Sequence, residues 1–149
     1  MKTTPEQISS LIRRISMVQW RAADAWIRES GLTQIQGRAI GFIDAHQDRG
    51  VIARDLAEAS GTTAASVASL ISGLEERGLV ERRPAPDDAR RKLLFATPAA
   101  VAMTRDFAER MNAAYEAAFA VLTDDEQDQL VALLTRVAEA NDIEDSPGR

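Results

Sequence analysis

Between Asp55 and Thr97 the hydrophobic period of the chain changes from helical to strand-like, and this switch constrains the fold more than any other feature. Arg54 to Ser60 reads as a brief helix with Leu56 and Ala57 as its buried contacts. Gly61 suits a tight turn. Thr63 then caps a second helix whose apolar residues Val67, Leu70, Ile71 and Leu74 fall at i, i+3, i+4 and i+7. Small Ala57 lets the two helices cross closely, and Val67 anchors the second of them. Gly78 stops it. Leu79 to Arg83 and Lys92 to Ala96 are strand-like, and the intervening Pro84-Ala85-Pro86-Asp87-Asp88-Ala89 is expected to continue neither strand, which predicts a hairpin with a polar tip.

The flanks are helical. From Pro5 to about Glu29, Ile8, Leu11, Ile12, Ile15, Val18, Ala22 and Trp26 recur at a helical period, with Met17 and Trp20 widening the stripe, and Ser30-Gly31 ends the run. Thr33 and Gln36 form a capping box that opens a helix to about Gln47, with Ile35, Ala39, Ile40, Phe42 and Ile43 facing inward. Asp48-Arg49-Gly50 is a turn and Val51-Ile52 a short β-prone pair. Thr97-Pro98 starts a long helix to Leu122, and the Thr123–Glu126 box opens a last one through Leu130, Leu133, Leu134 and Val137. The acidic segment over 141–149, with its Pro and Gly, is expected to be disordered. Together these elements predict a single, mainly α domain over 1–149. A winged helix-turn-helix at 32–97 lies between long helices at 5–30 and 98–140.

Charge is unevenly spread. The formal net charge of −5 argues against a nucleic-acid binder when taken alone. Yet from Arg77 to Lys92 six basic residues (Arg77, Arg82, Arg83, Arg90, Arg91, Lys92) meet only three acidic ones, whereas from Thr123 onward acidic residues dominate. The chain has no cysteine, which excludes disulfides and thiolate metal sites, and a reducing cytoplasm is the expected compartment. Arg13, Arg14, Arg21 and Arg28 interrupt the apolar runs of residues 1–30, so neither a signal peptide nor a membrane span is expected. No His, Cys or carboxylate cluster has metal-ligand spacing and no nucleophile has a recognisable base. No cofactor or enzymatic activity is therefore expected. The predominance of arginine over lysine and the abundance of alanine point to a GC-rich bacterial genome.

Leu32-Thr33-x-x-Gln36, Asp55-Leu56-Ala57, Leu74-Glu75-Glu76-Arg77-Gly78-Leu79-Val80-Glu81-Arg82, Pro86-Asp87-Asp88-x-Arg90 and Leu122-Thr123-x-x-Glu126-x-x-x-Leu130 together resemble the MarR (multiple antibiotic resistance regulator) family. The likeness covers about Leu32 to Leu134. It implies a homodimeric regulator of double-stranded DNA, often a repressor released by a small ligand, whose N- and C-terminal helices form the dimer. On that reading Ile8, Leu11, Ile12, Ile15, Leu122, Leu130, Leu133, Leu134 and Val137 are the expected dimer interface. Ala100 stands where the family commonly has Gly.

The DNA-facing residues follow from the same elements. Thr62, Thr63, Ser66 and Ser69, at the start of the second motif helix, are able to bond phosphates or base edges, while Ala64 and Ala65 are able to touch thymine methyls. Arg90 at the hairpin tip suits a narrow minor groove. The resemblance implies that Asp88 holds the wing by pairing with an arginine. Arg54, Arg82, Arg83 and Arg91 add positive charge around it. Relatives usually carry a larger polar or basic residue on the reading helix, but from Asp55 to Glu76 this chain has no Lys or Arg. The alternative reading is therefore a winged-helix protein-interaction module with weak or no DNA binding. For a small aromatic effector the candidate residues are Trp20, Phe42, His46 and Phe107, with Trp26 beside them. Ordinary core positions, and for His46 a surface or half-buried one, are the more usual reading of these residues.

Overall fold

Each predicted helix forms, and Thr33, Thr63 and Thr123 cap their starts as expected, while the helix after Thr33 and the one after Thr97 stop two and three residues short of their expected ends. The computed structural model describes residues 4–141. Helix α1 spans Pro5–Ser30 and stops at Gly31, whose φ is 66°. Helix α2, Gln34–Ala45, carries the reciprocal Thr33–Gln36 capping box. Helix α3, Ala53–Ser60, starts where the Asp55 carboxylate accepts the Ile52 N–H at 3.3 Å, and closes on Gly61 with φ 62°. Helix α4 is Ala64–Glu76, capped by Thr63. Strands β1, Val80–Pro84, and β2, Lys92–Ala96, pair antiparallel from Val80 opposite Ala96 to Pro84 opposite Lys92. Helix α5, Pro98–Phe119, ends short of Leu122 because the Leu122 N–H turns back to the Phe119 carbonyl before Thr123 caps α6, Asp124–Glu139. The disorder expected over 141–149 falls, apart from Asn141, outside the described residues.

The chain divides into two compact units: Ala23–Glu109, and the chain up to Ala22 together with that from Arg110 onward. In the first, α3 packs on α4, α2 on α3 and β2, and α4 on β1. Ile40, Ile43, Val51, Leu56, Val67, Ile71 and Leu74 are almost wholly buried there. Each such side chain contributes about 1.5–3 kcal/mol by leaving water. In the second unit, Met111 alone among the described residues is buried.

Two sequence expectations are corrected. Ile35 is 55% exposed rather than inward-facing. It sits in the first turn of α2, at the edge of the stripe centred on Ala39, Ile40 and Ile43. Pro84, expected outside the strands, is the last residue of β1. The Ala85 N–H donates to the Arg91 carbonyl at 2.8 Å, which makes the neighbouring Pro84–Lys92 pair a non-hydrogen-bonded one. No ladder bond is asked of the missing N–H.

Gly50 is buried at φ 71°, and a Cβ there would lie 2.7 Å from Phe95 Cζ and 3.0 Å from Leu93 Cβ. Gly50→Ala should therefore destabilise the fold by about 2–4 kcal/mol, combining a left-handed backbone with overpacking. Chemical denaturation measures this. An unchanged midpoint would contradict the close packing of Phe95 over this turn.

Candidate nucleic-acid interface

The turn between α3 and α4 is built by short polar side chains. Thr62 donates its backbone N–H to the Ala57 carbonyl at 3.2 Å, and its hydroxyl lies 2.9 Å from that of Ser60. Thr63 Oγ1 accepts the Ser66 N–H at 3.2 Å, while the two hydroxyls are 3.0 Å apart. These bonds fix the start of α4 and leave its outer surface open. Thr62, Thr63, Ala64, Ala65, Ser66, Ala68, Ser69 and Ser72 are all exposed. With Val67, Ile71 and Leu74 buried on the opposite side, α4 presents a small, neutral face next to the positive end of its own dipole.

The hairpin holds the positive charge, but most of it is committed. Arg82 Nε is 2.9 Å from Glu75 Oε1, tying β1 to the last turns of α4. Arg83 pairs with Glu81 and lies over the Phe95 ring, 4.7 Å from its centroid. Arg91 pairs with Asp87 at 2.6 Å, and that bond holds the Asp87 carboxyl below the usual carboxylate range. Away from the hairpin, Arg54 Nε is 2.9 Å from Glu58 Oε1. Arg77 donates to the Gly31 and Ser30 carbonyls at 2.8 and 3.2 Å, and Lys92 to the Ala89 carbonyl at 3.1 Å. The exposed Arg90 guanidinium, by contrast, has no partner among the described residues.

Among the described residues Asp88 pairs with no arginine side chain, contrary to expectation. Its Oδ1 accepts the backbone N–H of Arg90 at 2.9 Å, and its carbonyl accepts that of Arg91 at 3.0 Å. The reason is local: an aspartate two residues before an N–H in a tight turn closes an Asx turn more readily than it reaches a distant guanidinium. Asp88 therefore shapes the tip from which Arg90 projects, and the ion pair falls to Asp87.

The residues considered for an effector separate into pairs. Trp26 stacks edge-on to Phe107 with centroids 5.0 Å apart, and its Nε1 donates to Asp106 Oδ2 at 2.8 Å. Phe42 lies 4.4 Å from the His46 ring, whose Nδ1 is 2.7 Å from the Phe42 carbonyl. Trp20 belongs to the other unit and is 64% exposed. An open depression of about 380 Å³ in that unit is lined by Tyr115, Glu116, Phe119 and Gln127, none of them expected from sequence.

The expected interface residues Ile8, Leu11, Ile12, Ile15, Leu133, Leu134 and Val137 are all exposed, while Leu122 and Leu130 are half-buried. Among the described residues no group of three or more His, Cys, Asp or Glu is placed to hold a metal ion. None of their helices is long and apolar enough to cross a membrane.

A family model for the MarR family matches residues 30–91. Among solved structures, the chain is similar to a Clostridium acetobutylicum protein described as a MarR family transcriptional regulator. That similarity has 38% identity and a TM-score of 0.76, covering 89% of this chain and 97% of that one. It is also similar to the DNA complex of S. aureus MepR, at 28% identity and a TM-score of 0.78, covering 89% of this chain and 98% of that one. For S. aureus MepR bound to ethidium bromide the values are 28% and 0.74, with 89% and 94% covered. No curated protein matches the chain.

Proposed function

The chain belongs to the MarR family of transcriptional regulators, and from that premise we propose that it is a ligand-responsive repressor that binds a pseudo-palindromic operator as a homodimer. The observation that carries the DNA-binding reading is Arg90, an exposed and uncommitted cation at the tip of a hairpin whose other arginines are paired. It suits the negative potential of a narrow minor groove. Helix α4 enters the major groove, where Ala64 and Ala65 meet thymine methyls and Thr62, Thr63, Ser66 and Ser69 bond phosphates or base edges. Because that face has no charge and no long side chain, sequence preference rests largely on groove shape. The likeness to MepR, whose structure was solved with DNA, supports DNA binding.

Arg54, Arg82, Arg83 and Arg91 join the grip by exchanging carboxylates for phosphates. Exposed ion pairs of this kind contribute at most about 1 kcal/mol, so the exchange is easy. Each freed carboxylate then recruits a cation, which lowers the number of ions released overall. The slope of log K against log salt should therefore be clearly negative but shallow, roughly −2 to −5, against about −0.9 per neutralised phosphate. A titration of affinity from low to high salt tests this, and a flat response would rule out phosphate contacts.

The dimer places two α4 helices on half-sites about one helical turn apart, near 34–36 Å. The exposed apolar stripes of α1 and α6 support it. MepR bound to ethidium bromide supports a planar aromatic effector, with Phe42, His46, Phe107 and Trp20 as the residues to probe. Selection of bound duplexes from a random pool, followed by gel retardation, tests the function. Recovery of no enriched sequence and no retarded band would favour the protein-interaction module, to which the neutral α4 and the paired arginines also lend support.

A further inference from the structure

The outer edge of β2 is closed by two segments from the loop after α2. Val51 and Leu94 exchange both backbone bonds, with N–H to O distances of 3.2 and 2.7 Å. At the root of the hairpin, Gln47 Nε2 donates to the Ala96 carbonyl at 2.9 Å, and its Oε1 accepts the Ala96 N–H at 3.1 Å. Leu94 and Ala96 are alternate residues of β2, so both turn their backbone groups away from β1. A side-chain amide carries one donor face and one acceptor face, which lets Gln47 stand in for the next residue of a third strand.

We propose that Gln47 is a positioning residue for DNA binding: by clamping Ala96 it fixes the pitch of the hairpin against α2 and thereby aims Arg90. This rests on the DNA-binding reading above. The lever is long compared with the tolerance at its end. Four residues of β2 lie beyond Ala96 toward the tip, roughly 13 Å at about 3.3 Å per residue. A tilt of about 10° at Ala96 moves the end of the strand by about 2.3 Å, enough to break a hydrogen bond whose useful range is a few tenths of an ångström. Gly50, Val51 and Phe95 seat the middle of the strand, but the bonds at Ala96 lie nearest the pivot.

The test is a double-mutant cycle between Gln47 and Arg90. Gln47→Met keeps the length of the side chain and removes both bonds. The probe is a duplex of about 30 base pairs, long enough for two half-sites, selected from a random pool by the unaltered protein. Gln47→Met should weaken binding about tenfold in the unaltered background and leave the affinity of Arg90→Ala unchanged, because an arginine that is absent cannot be misaimed. Equal losses in both backgrounds would reveal a structural role only, and no loss in either would show that the clamp is idle. Either result overturns the proposal while DNA binding stands. If the unaltered protein selects no duplex, the DNA-binding reading fails and takes the proposal with it. Should Gln47→Met fail to fold, Gln47→Glu retains the acceptor, loses the donor and should show the same pattern.

Discussion

Leu133→Asp should yield a monomer that no longer retards operator DNA. Leu133 is 57% exposed on α6, and Leu134, Val137, Ile8, Leu11, Ile12 and Ile15 are exposed in the same unit. A helical unit in which Met111 is the one buried described residue has left most of its apolar stripe in water. Stripes of that kind bury themselves against a partner, and a second copy offers the same stripes by two-fold symmetry. Burial of one leucine side chain contributes about 1.5–3 kcal/mol, and symmetry counts it twice. An aspartate in its place also puts a carboxylate with no counter-ion into the interface. A combined loss of about 5 kcal/mol weakens the dimer by roughly three to four powers of ten. Each separated copy then meets only one half-site and forfeits the linkage between sites, worth roughly 10²–10⁴ in avidity. Sedimentation or light scattering at micromolar protein measures the first effect and gel retardation the second. A Leu133→Asp protein that remains dimeric would place the interface elsewhere.

The capping residues were legible because their partners lie within one turn: Thr33, Thr63 and Thr123 each accept from the N–H three residues on. Gly31, Gly61 and Gly78 end helices at positive φ for the same local reason. Hydrophobic period is less complete. It marks a face without saying what covers it, so Leu11 and Ile40 look alike in the sequence yet are 52% and 1% exposed. The wing arginines were legible as charge, but their availability was not. Arg82 reaches Glu75 across the turn from α4 to β1, and Arg91 reaches Asp87 across the hairpin tip, so the local positive balance overstates what is free for DNA. Gln47 carried no signal. Its partner is a backbone group 49 residues away, and nothing about a glutamine after a helix announces such a bond.

Arg90→Ala should cost DNA affinity without costing stability, and that separation follows from its surroundings. The guanidinium makes no hydrogen bond or ion pair with another described residue, so truncation removes no internal bond and leaves no group unsatisfied. Asp88 accepts the backbone N–H of residue 90, which alanine retains, so the shape of the tip is kept. On DNA the balance is different, because the proposed dimer would use the residue twice. At about 1.5 kcal/mol for each charge-assisted contact, the loss is about 3 kcal/mol, roughly a hundredfold in affinity at low salt. The salt slope should also become less negative by roughly 1.8, since each protomer gives up one contact at about 0.9. The two readouts constrain each other. A large loss with an unchanged slope would mean that alanine had shifted the docking geometry rather than removed a charge. Unchanged affinity and slope would mean that Arg90 points to solvent in the complex, and the grip would have to come from the paired arginines. Absence of binding by both proteins is what the protein-interaction module requires. Thermal melting of Arg90→Ala at the unaltered midpoint excludes misfolding as the cause of a loss.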